Sequence, residues 1–363
     1  MAKKIVDENG EIMYLHDDFD EEEFPDDLPE ELDEEALEEV FEPARRQQVQ
    51  ERIKELKIPV DKLSCCLWDH TDAEFADIVN NRRQCGCLEG LVKGKQVVTP
   101  YFLSLIEDYA DLSALNPWHR EILFHAINLY ANGYNLITIS MTYDSMTGGA
   151  ENRHLQQNTA RFEAIKAAIK KLAFTGIRID LEPLIANYPK YRANYKRYCP
   201  KDSAKKGKAE LMGTLLPAQI LDEESAVNGQ KTFAVKILGD SPLMILARIK
   251  QQIMHYNTEP LAIAGQKNTP QVVTIKNYLL RRIEMMKQRR LARSIVFTTL
   301  YKECGLAGTS DSVKRNARKE VTETLEAFKA AGVIKDFAFE QKEGKYRAIK
   351  ITLEQSLPAP KKL

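Results

Sequence analysis

Asp311-Ser-Val-Lys-Arg-Asn-Ala-Arg-Lys-Glu-Val-Thr-Glu-Thr-Leu-Glu-Ala-Phe-Lys-Ala-Ala-Gly332 is the stretch from which the rest of the chain can be read. From Val313, apolar residues recur at Ala317, Val321, Leu325 and Phe328, steps of four, four, four and three, which draw one continuous stripe at helical period. At about 100° per residue, Ser312, Arg315 and Lys319 point almost opposite that stripe, with Lys314, Asn316 and Arg318 on its flanks. A helix so divided needs a core on one side and an anionic partner on the other.

The neighbouring segments supply the core. An amphipathic helix is expected over 272–287, a short helix over 294–304, then a Gly-Thr-Ser turn ahead of the long helix. Two strands, 334–341 and 345–353, follow it and meet at Glu343-Gly344, a tight hairpin turn. Helix, helix, basic helix and hairpin is the order of a winged helix, a fold whose third helix enters the DNA major groove with the hairpin wing beside it. Arg315 and Lys319 should lie nearest the bases or groove phosphates, supported by Ser312, Lys314, Asn316 and Arg318. Lys342, Lys345 and Arg347 around the Gly344 turn should meet the backbone.

The same organisation is expected once earlier, beginning about 150 residues upstream. Asn116 is an N-cap candidate with Pro117 at the first helical position, and Ile122, Leu123, Ala126, Ile127 and Tyr130 share a face, so 117–131 reads as helix. After Gly133 come a short strand at 136–139, a short helix at 140–146 stopped by Gly148-Gly149, and a long amphipathic helix at 155–174. The alternating strand 177–181 is expected to open this repeat's wing. Lys166, Lys170 and Lys171 on the long helix are its candidate DNA contacts. The wing is then interrupted by 189–208, where basic residues interleave with tyrosines. Arg192, Lys196 and Arg197 there read as nucleic-acid contacts or as a solvated loop with packed tyrosines. Strands at 210–219 and 231–237 and a helix at 242–255 lead into the second half.

Charge is segregated along the chain. The 52 Lys/Arg and 53 Asp/Glu of all 363 residues nearly cancel, but the first 42 residues hold 19 of the acids and only 2 of the bases. The remaining 50 bases and 34 acids give the body a charge of +16. Residues 1–42 are expected to form a disordered acidic tail, either solvated or docking through Phe24, Leu28, Leu32 and Phe41. Residues 43–112 read as a mostly helical extension, with helical periodicity in 46–56 and 101–109. The start lacks an apolar signal core and no run approaches the ~20 residues that span a bilayer, so a cytoplasmic protein with no membrane partner is expected.

The expected architecture is therefore α+β: two winged-helix (helix-turn-helix) domains in tandem at 113–257 and 258–357, a helical N-terminal extension, the acidic tail, and a short tail at 358–363.

Enzymatic readings find no support in the residues. Gly90-Leu-Val-Lys-Gly94-Lys95 lacks the spacing and the following Ser/Thr of a phosphate loop, and the six histidines never fall two apart as a nuclease metal pair requires. Cys65-Cys66, His70 and Cys85-Gly-Cys87 do not match structural zinc knuckles, so Cys65, Cys66, Cys85, Cys87, Cys199 and Cys304 read as reduced thiols, with no metal or cofactor expected. Tyr301, beside Phe297, Leu300 and Cys304, reads as packing rather than as a nucleophile, and His119 as a solvated helix-start residue.

Four phrases carry a further resemblance. Leu115-Asn-Pro-Trp-His-Arg-Glu-Ile-Leu-Phe, then Ile137-Thr-Ile with Lys170-Lys-Leu-Ala-Phe-Thr-Gly-Ile-Arg-Ile-Asp, and finally Tyr278-Leu-Leu-Arg-Arg-Ile-Glu-Met-Met-Lys-Gln-Arg-Arg resemble the tandem winged-helix replication initiators of theta-type bacterial plasmids and integrative elements. The resemblance spans roughly 113–355 and rests on domain order and helix-start phrases. It implies double-stranded DNA as partner, at repeated origin sites, with the C-terminal winged helix reading one part of each repeat. The N-terminal one would touch the other part or form a dimer. Host replication proteins and a second copy of the chain are further implied partners, and dimers would repress the initiator's own promoter. The acidic tail, the 43–111 extension and the insertion depart from the family pattern. A transcriptional or partition regulator, and a protein-interaction adaptor acting through the acidic tail, are the alternatives.

Overall fold

The computed structural model describes residues 3–6, 12–15, 55–106, 109–149, 159–199, 209–224, 231–262, 268–288, 292–342 and 344–353. The chain divides into two compact units, Met1–Arg45 and Arg46–Leu363. In the first, β1 (Lys3–Val6) and β2 (Ile12–Leu15) pair antiparallel, which replaces the expected disorder of that part of the tail. Residues 16–42 of the expected tail, the helical reading of 46–54 and the tail at 358–363 lie outside the described residues.

The second unit opens with strands where helices are expected. β3 (Glu55–Pro59), α1 (Lys62–Cys66) and α2 (Asp72–Asn80) precede a hairpin of β4 (Cys85–Val92) and β5 (Lys95–Leu105). The helical reading of 101–109 fails because a two-residue period runs through it: Val97, Thr99, Tyr101 and Leu103 are all buried, and such β-branched and aromatic residues at alternate positions suit a half-buried strand.

The first repeat comprises α3 (Pro117–Ala131), β6 (Leu136–Thr138), α4 (Ile139–Thr147) and α5 (Thr159–Phe174). Asn116 Oδ1 accepts from the backbone N–H of Trp118 at 3.0 Å and His119 at 3.2 Å, satisfying two of the donors that a helix start orphans. His119 Nδ1 accepts the Asn116 N–H in return at 3.2 Å, so this half-buried histidine is part of the cap rather than solvated. Gly148, at φ 72°, ends α4; an added Cβ would lie 2.6 Å from the Ala262 nitrogen, so both conformation and space demand glycine.

β7 (Thr175–Asp180) does not open the wing. It pairs with β5 and with β8 (Glu210–Thr214), giving a four-stranded antiparallel sheet of order β4-β5-β7-β8. Its alternating Thr175, Ile177 and Ile179 find their apolar surroundings there, because the preceding segment is a sheet and not a helix bundle. Between β7 and β8 lie α6 (Glu182–Asn187) and α7 (Lys190–Tyr198), so the described part of the basic insertion is helical. The hairpin in the position of a wing is β9 (Ala218–Glu224) with β10 (Lys231–Ile237), in a sheet of order β6-β10-β9. α8 (Pro242–Lys250) follows, and the buried Lys250 ammonium reaches Glu89 of β4 at 2.7 Å. The expected continuation of that helix to 255 is instead β11 (Ile253–Asn257), which pairs with β3.

The second repeat holds α9 (Pro270–Lys287), β12 (Ser294–Val296), α10 (Phe297–Glu303), α11 (Asp311–Ala330), β13 (Asp336–Lys342) and β14 (Lys345–Thr352), with sheet order β12-β14-β13. It starts as the first does: Thr269 Oγ1 accepts from Val272 N–H at 3.3 Å, with Pro270 at the first helical position. Ala317, Val321, Leu325 and Phe328 of α11 are fully buried and Val313 packs on the same core. The fold is mixed α+β with several small antiparallel sheets, and its two repeats share an element order and a strand order consistent with winged-helix-like units.

The repeats meet through buried polar groups. Glu121 of α3 accepts from Arg281 of α9 at 3.1 Å and lies 3.0 Å from Arg120, which also donates to the Glu303 carboxylate at 2.7 Å. Burial pushes the Glu121 carboxyl up, but the two guanidiniums more than offset this and hold it below its ordinary value, so it stays ionised.

Candidate nucleic-acid interface

On α11 the side chains opposite the buried stripe fall into two groups. Ser312, Arg315, Asn316 and Lys319 are exposed. Lys319 lies 3.8 Å from Glu323 with both side chains in solvent, a pair that a polyanion could displace at little cost. Lys314 and Arg318 are half-buried and already engaged. Arg318 donates to the Tyr301 hydroxyl at 2.9 Å and its guanidinium lies 5.2 Å from the Tyr346 ring centre; the Lys314 ammonium is 5.8 Å from the Tyr301 ring.

These contacts end on an aromatic array. Phe297 and Tyr301 of α10, Phe339 of β13 and Tyr346 of β14 have ring centres 5.5 to 6.1 Å apart, separations at which tilted and edge-on pairs attract. Tyr301 thus packs in the array and accepts from Arg318. The basic helix and the wing are fixed to each other by the cation that sequence reasoning assigned to DNA. Four aromatics at 297, 301, 339 and 346, beside a helix carrying Arg318, are the signal that could have found it.

At the wing, Gly344 has φ 72° and lets β13 return as β14. Lys345 and Arg347 project into solvent beside it, while the Lys342 side chain lies outside the described residues.

The first repeat differs. Lys166 and Lys170 of α5 grip the two carboxylate oxygens of Asp222 on β9, at 2.7 and 2.6 Å. Hydrogen bonds from both lysines hold the Asp222 carboxyl below its ordinary value. Lys171 is a correction to the expected DNA contacts. One position further round the helix, it turns into the core, is fully buried, donates to the Asp111 carbonyl and lies 4.6 Å from the Phe75 ring. On α7, Lys196 and Arg197 are exposed and Arg192 lies 3.5 Å from Glu182 in solvent. Tyr195 is buried, and Asn194 Nδ2 donates to the Ile249 carbonyl at 2.8 Å, which seats α7 on α8.

No catalytic motif is present, and among the described residues no group of three or more His, Cys, Asp or Glu comes together as a metal site. None of the six cysteines forms a disulfide, and among the described residues no helix is long and apolar enough to cross a membrane.

Comparison with known proteins gives structural matches alone. The crystal structure of RctB domains 2–3 matches at 11% identity and a TM-score of 0.37, covering 74% of this chain and 91% of that one. A selenomethionine derivative of domain 2 and domain 3 of RctB matches at 12% identity and a TM-score of 0.35, covering 75% and 91%. No family model matches this chain, and no curated protein does.

Proposed function

We propose that this protein binds double-stranded DNA sequence-specifically through two winged helices in tandem and initiates replication at a plasmid or mobile-element origin with repeated sites, repressing its own promoter as well. The observation that carries the reading is the division of α11: a fully buried apolar stripe on one side, and Arg315, Asn316 and Lys319 in solvent on the other, next to a wing that ends in Lys345 and Arg347. The second repeat is the base reader. The first contributes backbone contacts through Arg192, Lys196 and Arg197, or a surface for a second copy of the chain, and host replication proteins are recruited at the origin.

The test is a titration of the full-length chain with duplexes carrying the direct repeats that flank its gene, against scrambled duplexes, at two salt concentrations. Expected are tighter binding to the repeats and a steep loss of affinity with salt, since neutralising phosphates releases counterions. Equal, salt-insensitive binding to both duplexes would leave the interaction-adaptor reading in its place.

A further inference from the structure

Two buried polar groups without hydrogen-bond partners share one crevice where the two repeats meet. Tyr278 and Arg282, one turn apart on α9, line a crevice of about 100 Å³ whose other polar walls are Ser64, Cys65, Arg120, Arg281, Thr299 and Glu303. The Tyr278 residue is 2% exposed and its hydroxyl has no hydrogen-bond partner; Arg282 Nε is likewise buried and unpartnered. Fully buried polar atoms in folded proteins nearly always have a partner, and two orphans on one small crevice mark a place built to meet something polar.

Charge decides what that is. Arg120 and Arg281 are taken up by Glu121 and Glu303, at 2.7 to 3.1 Å. Arg282 is the third guanidinium here, and among the described residues no carboxylate forms an ion pair with it. Three guanidiniums against two carboxylates leave one positive charge among the residues that line the crevice, where Tyr278, Thr299 and Ser64 add hydroxyls. Burial raises the Tyr278 phenol, so it remains a neutral donor. Guanidinium with hydroxyl donors is the set that holds a tetrahedral oxyanion, and the crevice has room for an ion of that size.

We infer that this crevice binds a small oxyanion of the phosphate class through Arg282 and the hydroxyl of Tyr278, with Thr299 at its mouth. The site draws its walls from α3 of one repeat, α9 and α10 of the other and the β3–α1 segment ahead of both, so an occupant fastens the two repeats together.

The experiment uses the full chain without DNA, so its failure leaves the DNA-binding reading untouched. Inorganic phosphate and, in a separate arm, glycerol phosphate are titrated at constant ionic strength in chloride, followed by calorimetry and by the rise in Tm. Saturable binding by the wild type to either ligand is expected, tenfold or more weaker in Y278F, which keeps the ring packing, and in R282Q. Saturation by phosphate identifies the free ion; saturation by glycerol phosphate alone identifies a phosphomonoester. Linear, unsaturable uptake means an adventitious ion only and overturns the inference, as does unchanged affinity in both variants.

Discussion

Lys170 of α5 lies 2.6 Å from Asp222 of β9, so the basic face of the first repeat's long helix is neutralised by its own wing. Lys166 takes the other carboxylate oxygen, and two cations that would otherwise face a polyanion are spent within the fold. Replacing Asp222 by Asn removes the negative charge and keeps the shape. The expected outcome is tighter non-specific duplex binding, with the slope of log affinity against log salt steeper by up to about 0.9 for each lysine released. An unchanged slope in D222N would place α5 away from DNA altogether.

Arg315 and the wing should fail in different ways. An exposed arginine on the outer face of α11 can hold a guanine edge through two hydrogen bonds, so R315A should cost ~1–3 kcal/mol on the cognate site and relax preference at one base position. Lys345 and Arg347 follow the tight turn at Gly344, and on the proposed reading they meet phosphates, so K345A and R347A should weaken all sequences alike and flatten the salt slope by about 0.9 each. The measurement is anisotropy on cognate and scrambled duplexes across a salt series. R315A losing equally on both would make Arg315 a phosphate contact.

Much of the architecture could be read from the chain because helical stripes and caps are local. The buried face of α11 and the paired starts Asn116-Pro117 and Thr269-Pro270 need nothing beyond their own neighbours. What failed was the partnering of strands. Thr175–Asp180 alternates whether it opens a wing or enters another sheet; its place depends on β5, whose two-residue period runs into the 101–109 stretch where a helix is expected. The site suffered likewise. Lys170 and Lys171 are adjacent basic residues, and only the packing of Phe75 and Asp111, far off in sequence, turns one inward. Arg318 has the composition of a DNA contact, while its partners Tyr301 and Tyr346 lie on two other elements.

Arg318 therefore acts as a positioning residue that sets the wing against α11. Its planar guanidinium both donates to Tyr301 and lies against Tyr346, a geometry that an ammonium does not reproduce. R318A and R318K should each lose ~1–2 kcal/mol of stability and a similar share of base discrimination. If Arg318 instead met a phosphate directly, R318K would keep the affinity that R318A loses, and stability would be unchanged in both.

The joint between the repeats should be acid-sensitive. His125 of α3 is fully buried, with Nδ1 2.8 Å from Ser145 Oγ and Nε2 3.0 Å from Asn277 Oδ1. Asn277 Nδ2 donates to the Met146 and Val273 carbonyls, which leaves its Oδ1 to accept, so Nε2 carries the proton of a neutral ring. Burial lowers the imidazole from its ordinary 6.5 to about 4, against the opposing pull of Glu121, while Arg281 on the facing helix adds to the lowering. A folded value below the unfolded one means that the unfolded chain binds the extra proton first. Stability from this group is thus complete above pH 6.5 and is lost as pH falls from 6.5 towards 4, by ~3 kcal/mol in all. His119, also lowered to about 4 by burial, adds a loss of the same sign. Urea unfolding at pH 7, 6, 5 and 4 (chosen to span that window) should give a shallower decline in H125Q than in the wild type, and a shallower one again when H119Q is added. Parallel declines in the wild type and H125Q would show that the histidine charges without strain and that another group carries the acid sensitivity.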